Sequence, residues 1–116
     1  MTNWNYDRCY ELGCEGEDMV ARVMGGTVTT NGHPVDVVTD KLAIEVKTFT
    51  VDALEHKASM GKGARRRKKQ WARERGLRAV TVMVIMHPDH GDLYIAEGFK
   101  GFRRPWMKYL GSVPRQ

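Results

Sequence analysis

Apolar and polar residues alternate most clearly in the stretch KLAIEVKTF. Leu42, Ile44 and Val46 occupy every second position, so they share the core-facing side of a predicted strand. The opposite side carries Glu45 and Lys47, two opposite charges at neighbouring positions on that side. A fold gains little by placing such a pair there, so we expect the two residues to serve a function.

Four further segments are predicted as strands. TVTT (27–30) and PVDVVT (34–39) are joined by an Asn-Gly turn, and a second tight turn leads into KLAIEVKTF, so three consecutive antiparallel strands are expected. AVTVMVIM (79–86) is a nearly continuous apolar run, typical of a strand buried on both faces. HPDHGD is predicted as a turn, and LYIAEGF (93–99) as the last strand.

Two longer and two shorter helices are predicted. In CEGEDMVARVMGG (14–26) the apolar residues recur at helical spacing, and Glu17 extends their stripe. ARRRKKQWARER (64–75) consists mainly of strong helix formers and stops at a glycine. A short helix is expected from Asp52 through ALEHKASM, where a capping box is present, and another after Pro105.

The predicted order is therefore helix, three strands, helix, strand, strand, which defines a mixed αβ class. No internal repeat or linker divides the chain, so residues 1–116 are expected to form one domain. Residues 1–12 either begin the first helix or form an arm. Neither a secretory signal nor a membrane-spanning apolar run is found, so we expect no membrane partner. The expected location is the cytoplasm, or the host cytoplasm if a phage encodes the protein.

Charge is distributed unequally along the chain. Residues 1–56 carry ten acidic against four basic residues, a net charge of −6. Residues 57–116 carry four acidic against fifteen basic residues, a net charge of +11. An acidic half beside a basic half suits a cation site next to a surface that binds a polyanion.

The acidic half contains a candidate metal site. Asp36 precedes Glu45 by nine residues, on the strand before it, so the intervening turn is expected to bring the two carboxylates together. Two carboxylates and water are what Mg²⁺ prefers, and the Val46 carbonyl can add a neutral ligand. Lys47 is then expected to orient or deprotonate an attacking water. Glu17 can hold a metal-bound water or complete a second metal site.

The pattern PVDVV…LAIEVK with an upstream helical Glu resembles the PD-(D/E)XK nuclease superfamily. Pro34, Asp36, Glu45 and Lys47 match its motif, with one residue inserted between the Pro and the Asp. The resemblance covers residues 13–97. The compact size and the basic segment look most like archaeal-type Holliday-junction resolvases and small phage nucleases.

The resemblance implies a restriction-endonuclease-like core: a central mixed β-sheet flanked by helices, in the order αβββαββ. It implies hydrolysis of DNA with Mg²⁺, for which Mn²⁺ can substitute. The implied metal ligands are Asp36, Glu45 and the Val46 carbonyl. Lys47 has the catalytic role, assisted by Glu17, and Gln70 resembles a polar residue that some branches place near the metal. A chain of this size that cuts two strands is expected to act as a homodimer.

A basic segment follows the motif strand. It contains RRRKK (65–69), five consecutive positive charges after a glycine-rich loop. Such a segment is expected to contact the phosphates of DNA, which makes DNA the expected partner. The residues expected to bind DNA are Lys62, Arg65, Arg66, Arg67, Lys68, Lys69 and Arg73.

Each feature also has a simpler interpretation. Asp36, Glu45 and Lys47 can form a cross-strand ion pair, and Glu17 can be a carboxylate favoured by the helix dipole. The basic run can be a solvated helix face. The rival function is therefore a catalytically inactive DNA-binding module with the same fold, which would not depend on Lys47.

A zinc-binding structural adaptor is a third interpretation. It would use Cys9, Cys14, His87 and His90 as ligands. The spacings C-x4-C and H-x2-H match no zinc motif, so two reduced thiols and a simple turn are favoured. Trp71, at helical spacing, is expected to anchor the core rather than to stack on bases.

Overall fold

The structure, a computed structural model, describes the backbone of residues 4–116 and the side chains of residues 11–116. Two α-helices lie in this part of the chain, α1 (Trp4–Met24) and α2 (Lys62–Glu74). The strands are β1 (Thr27–Val28), β2 (Val37–Val38), β3 (Leu42–Thr50), β4 (Lys57–Ala58), β5 (Arg78–Met86), β6 (His90–Glu97), β7 (Phe102–Arg103) and β8 (Lys108–Pro114).

Six of these strands form one mixed sheet in the order β1-β2-β3-β5-β6-β8. β3 and β5 are parallel, in the register Glu45↔Thr81, and every other neighbouring pair is antiparallel. Parallel strands need a long crossover connection, and α2 lies within the one that joins β3 to β5. The prediction of a mixed αβ class is confirmed, with two helices and a mixed central sheet.

The two helices cover opposite faces of the sheet. Met19 and Val20 of α1 pack with Ile44 on β3, whereas Ala72 of α2 packs with Ala43, the neighbouring residue. Successive side chains of a strand point to opposite faces, so these contacts assign one face to each helix. β5 is buried from Val80 to Met86, as its continuous apolar run predicts.

The predicted helix beginning at Asp52 is wrong. The segment forms turns followed by β4, which pairs antiparallel with β7 in a separate two-stranded sheet. Ala58 of β4 is 2% exposed and packs with Met83 and Phe102. A helix of two turns is unstable without tertiary support, so burial of Ala58 outweighs the local capping signal.

The predicted helix after Pro105 is also wrong. Arg104–Trp106 makes a single 3₁₀ turn, and the chain continues into β8, which pairs with β6 at the edge of the sheet. With β4, β7 and β8 the chain has three strands more than the predicted order αβββαββ. The first two predicted strands are also shorter than expected, since β1 and β2 have two residues each.

The first helix begins earlier than its apolar pattern shows, since α1 is helical from residue 4 and not only from residue 14. Of the two alternatives for residues 1–12, a helix or an arm, the described part from residue 4 onward is helical. Across the described residues, neither helix is long and apolar enough to cross a membrane.

Gly16 allows α1 to approach β3 closely. A Cβ atom placed on Gly16 would overlap Oγ1 of Thr48 and lie 3.1 Å from its Cβ. Thr48 Oγ1 is buried and has no hydrogen-bond partner among the described residues. A methyl group cannot fit here unless the helix or Thr48 moves.

We expect Gly16→Ala to lower the free energy of unfolding by about 1–2 kcal/mol, because overpacking outweighs the gain in helix propensity. Adding Thr48→Ala should restore the stability, since it removes both the clash and an unpaired hydroxyl. Gly13→Ala is the matched control, because no atom lies within 4 Å of its added Cβ. Urea unfolding in which Gly16→Ala matches Gly13→Ala would contradict the close contact.

Candidate metal and phosphate site

Asp36 lies where β2 separates from β3. The two strands pair at Val37↔Ile44 and Val38↔Ala43 only, so the edge of β3 beyond Ile44 has no neighbouring strand on this side. The Val46 N–H donates instead to Oδ2 of Asp36, at 2.8 Å. This hydrogen bond fixes the Asp36 carboxylate beside the backbone that flanks Glu45.

Glu45 is a buried carboxylate that contacts two lysines. It is 5% exposed, on the face of β3 that α2 covers. Lys47 Nζ lies 3.4 Å from Glu45 Oε1, and Lys68 Nζ donates to Oε2 at 3.1 Å. The ammonium groups compensate a charge that would be costly to bury alone.

Glu17 lies on α1, on the other side of the sheet, but within electrostatic reach of both acids. Burial raises the pKa of Glu17 to about 7, and the negative charges of Asp36 and Glu45 add to this effect. The open edge of β3 is where groups from the two faces can meet, because no strand separates them there. No lysine contacts Glu17 among the described residues.

The ionised form of Asp36 is also disfavoured. Burial raises its pKa to about 6 and the charge of Glu45 contributes, whereas the Val46 N–H hydrogen bond and the two lysines act in the opposite direction. Carboxylates that repel one another while partly buried favour either protonation or a bound cation. The predicted convergence of Asp36 with Glu45 and Lys47 is thus present in the structure.

The stability of the metal-free protein should reveal this repulsion. In EDTA, Asp36→Asn is expected to raise the free energy of unfolding by about 1–2 kcal/mol above pH 7. In the wild type, the unfolded chain ionises Asp36 near its ordinary pKa of 3.8 but the folded chain only near 6, so stability is lost as the pH rises through this window. The asparagine oxygen can still accept from Val46.

Below about pH 3 both states of the wild type hold the Asp36 proton, so the advantage of Asp36→Asn should disappear. The exposed Asp40 in the adjacent turn is the control, because Asp40→Asn removes the same charge outside the cluster. Chemical unfolding of the three proteins at a series of pH values measures the effect. An equal advantage at pH 3 and pH 8 would show that charge repulsion is not its cause.

Lys68 is the site residue that sequence reasoning missed. Its place within a basic run predicts a contact with DNA. In the structure its side chain is 20% exposed, and its ammonium donates to the Pro34 carbonyl as well as to Glu45. The available signal was its spacing, since Lys68 precedes the buried Ala72 by one helical turn and therefore lies on the same face.

Gln70 lies apart from the carboxylates. It is exposed on α2, and its amide donates to Oε1 of Glu74, one turn further along the helix, at 3.0 Å. The predicted approach of Gln70 to the metal site is not seen, because the rotation of α2 directs Lys68 rather than Gln70 toward β3.

The outer side of α2 is strongly basic. The helix carries seven Lys or Arg residues and a single acidic residue, which does not lie in its first turn. Arg66, Lys69 and Arg73 line a groove together with Gln70 and Glu74. Lys62 and Arg67 are exposed and Arg65 is half-buried. Apart from Lys68, the predicted DNA-binding residues therefore remain accessible to a ligand.

Trp71 packs inward beside Leu77 and meets His33 edge-on, with ring centroids 4.7 Å apart, which confirms its expected place in the core. His56 Nε2 forms a hydrogen bond with the Thr50 carbonyl oxygen.

Cys14 is a free, half-buried cysteine, whereas the side chain of Cys9 lies outside the described residues.

The donor set at β3 fits a hard divalent cation. Asp36 uses Oδ2 for Val46, its Oδ1 has no hydrogen-bond partner among the described residues, and Glu17 lies within electrostatic reach of Asp36 and Glu45. Both oxygens of Glu45 contact ammonium groups, so a cation ligated by Glu45 would displace at least one lysine. Carboxylate oxygens with room for water are what Mg²⁺ requires.

Comparisons with protein-family models, curated proteins and solved structures gave no significant match to this chain.

Proposed function

We propose that the protein is a metal-dependent DNA endonuclease that hydrolyses phosphodiester bonds. The observation that carries the proposal is the gathering of Asp36, Glu45 and Lys47 at one open strand edge, beside a basic helix and within electrostatic reach of Glu17. A buried ion pair alone needs one acid and one base. It does not explain three mutually repelling carboxylates.

Asp36 and Glu45 are proposed to ligate Mg²⁺ or Mn²⁺, with the Val46 carbonyl as a further ligand. The metal, when bound, lowers the pKa of its water and neutralises charge on the phosphate. Lys47 positions or deprotonates the attacking water and stabilises charge that develops on the phosphate. Glu17 holds a water at the edge of the site, and Lys68 positions Glu45.

The outer face of α2 is proposed to hold the DNA backbone. Its guanidinium and ammonium groups lie on the element that also supplies Lys68 to the carboxylates, so phosphates bound along it would be adjacent to the site. The unit β3–α2–β5 with α1 on the opposite face supports the restriction-endonuclease-like core of the same proposal. Branched DNA and a homodimer remain the proposed substrate and assembly.

The rival is the catalytically inactive DNA-binding module. It explains the basic helix equally well, but it does not account for the raised pKa values of Glu17 and Asp36, which a binding module has no reason to retain. The charge repulsion would lower its stability without any benefit.

The deciding experiment incubates the protein with supercoiled plasmid and with a labelled four-way junction, each with Mg²⁺, Mn²⁺ or EDTA. Cleavage with either metal and none in EDTA would support the nuclease, and the preferred DNA would separate a junction resolvase from a general endonuclease. No cleavage of either DNA, together with tight salt-sensitive binding, would favour the inactive module.

A further inference from the structure

A second group of potential metal ligands lies at the turn between β5 and β6. His87 follows β5, and His90 and Asp92 belong to β6, so the predicted turn HPDHGD is in fact confined to its first three residues. The ligand atoms of these three side chains lie within 4.8 Å of one another. His87 Nε2 is 3.0 Å and His90 Nε2 is 3.7 Å from the same oxygen, Asp92 Oδ2.

In His90 and Asp92, the ring nitrogen or carboxylate oxygen that is not offered to the metal is held by hydrogen bonds. His90 Nδ1 lies 2.6 Å from Oδ1 of Asp89, and Asp92 Oδ1 accepts from the Tyr109 hydroxyl and from the Ser112 hydroxyl on β8. Metal-binding histidines usually donate their second ring N–H to a carboxylate, which directs the other nitrogen and its lone pair to the metal. The arrangement at His90 and Asp92 follows this rule.

A hydrogen-bonded turn alone accounts less well for these contacts. A neutral histidine carries one N–H, so a His90 that donates from Nδ1 to Asp89 presents a lone pair from Nε2 toward the Asp92 carboxylate. The two imidazole rings are also stacked, with centroids 4.2 Å apart and planes 9° apart, and both present Nε2 to the same Asp92 oxygen. A cation between the three ligand atoms removes the conflict between the His90 lone pair and the Asp92 carboxylate.

We propose that His87 Nε2, His90 Nε2 and Asp92 Oδ2 form a binding site for a divalent transition-metal ion of the Zn²⁺ type, with water at the remaining position. Two imidazole nitrogens and one carboxylate oxygen are a donor set that such ions favour over Mg²⁺. The site is distinct from the group of carboxylates formed by Glu17, Asp36 and Glu45. His87 is six residues along β5 from Thr81, the partner of Glu45, which corresponds to about 20 Å.

Calorimetric titration of the full chain with Zn²⁺, and the visible absorption of added Co²⁺, test the site. We expect one equivalent to bind tightly at this site, His87→Ala and His90→Ala to weaken that affinity at least about 100-fold, and Asp89→Asn to weaken it about 10–100-fold. Asp89 is 85% exposed, so its replacement disturbs no packing. His56→Ala, which removes an imidazole elsewhere, should bind as the wild type does.

Two further variants identify the source of any binding. Asp36→Asn combined with Glu45→Gln should leave the affinity unchanged, so the result does not depend on the proposed nuclease site. Cys9→Ser combined with Cys14→Ser should also have no effect. A wild type that binds no Zn²⁺, or one whose affinity responds to the cysteine or carboxylate variants but not to His90→Ala, would overturn the proposal.

Discussion

Lys47→Ala should lower the rate of metal-dependent DNA cleavage by about 10²–10⁴-fold while DNA affinity stays within about twofold of the wild type. The reason is the position of the ammonium group, 3.4 Å from Glu45 Oε1 and one third exposed, next to the carboxylates that would hold the metal. Its loss removes the group that serves the water and leaves the metal ligands in place. Single-turnover cleavage and fluorescence anisotropy with the same labelled DNA measure the two quantities.

Lys68→Ala is the matched control, because it removes the other ammonium group from the same carboxylate. If Lys68 only positions Glu45, cleavage should fall about tenfold, with some loss of stability because the Pro34 carbonyl and Glu45 lose their hydrogen bonds. Lys47→Arg should not restore activity if Lys47 acts as a base, since a guanidinium does not deprotonate in proteins. Undiminished cleavage by purified Lys47→Ala would remove Lys47 from the mechanism and point to a contaminating enzyme.

Replacing Arg66, Lys69 and Arg73 together by alanine should weaken DNA binding on the order of 100-fold at moderate salt. Each phosphate contact that is lost should also reduce the slope of log affinity against log salt by about one, so the slope should fall by about three. The three residues share the groove on the outer side of α2, away from the side that packs on the sheet. The fold should therefore remain intact, and anisotropy titrations between 50 and 300 mM salt measure both effects.

A second triple variant separates the effect on DNA affinity of where the charges lie from the effect of the net charge. Lys41, Lys100 and Lys108 are exposed and lie outside α2, so their replacement by alanine removes the same three charges. We expect this variant to bind with nearly wild-type affinity and slope. Equal weakening by both triple variants would mean that general charge, and not the α2 groove, attracts DNA. A wild type that shows no salt dependence would remove the phosphate contacts altogether.

Most of the local structure was predictable from the sequence. The two-residue period of KLAIEVKTF gave β3, and the apolar run at 79–86 gave β5, within one residue at each end. The same period placed Glu45 and Lys47 on one face, and the short turn placed Asp36 close to Glu45. These inferences depend on neighbours along the chain or across one hairpin, where backbone geometry leaves few alternatives.

The remaining features depended on contacts between distant segments. The packing of α2 decided that Lys68 and not Gln70 reaches Glu45, although both lie in the same basic helix. Burial of Ala58 against β5 replaced a predicted helix by a strand.

By itself, then, the sequence determined the mixed αβ class, the strand that carries Glu45 and Lys47, and the acidic and basic halves. The tertiary structure alone decided the open edge of β3, the two lysines on Glu45 and the meeting of His87 and His90 with Asp92. The physical reason is that periodicity assigns a side chain to a face of its own element, whereas its partners depend on the rotation and burial of elements far away in the chain.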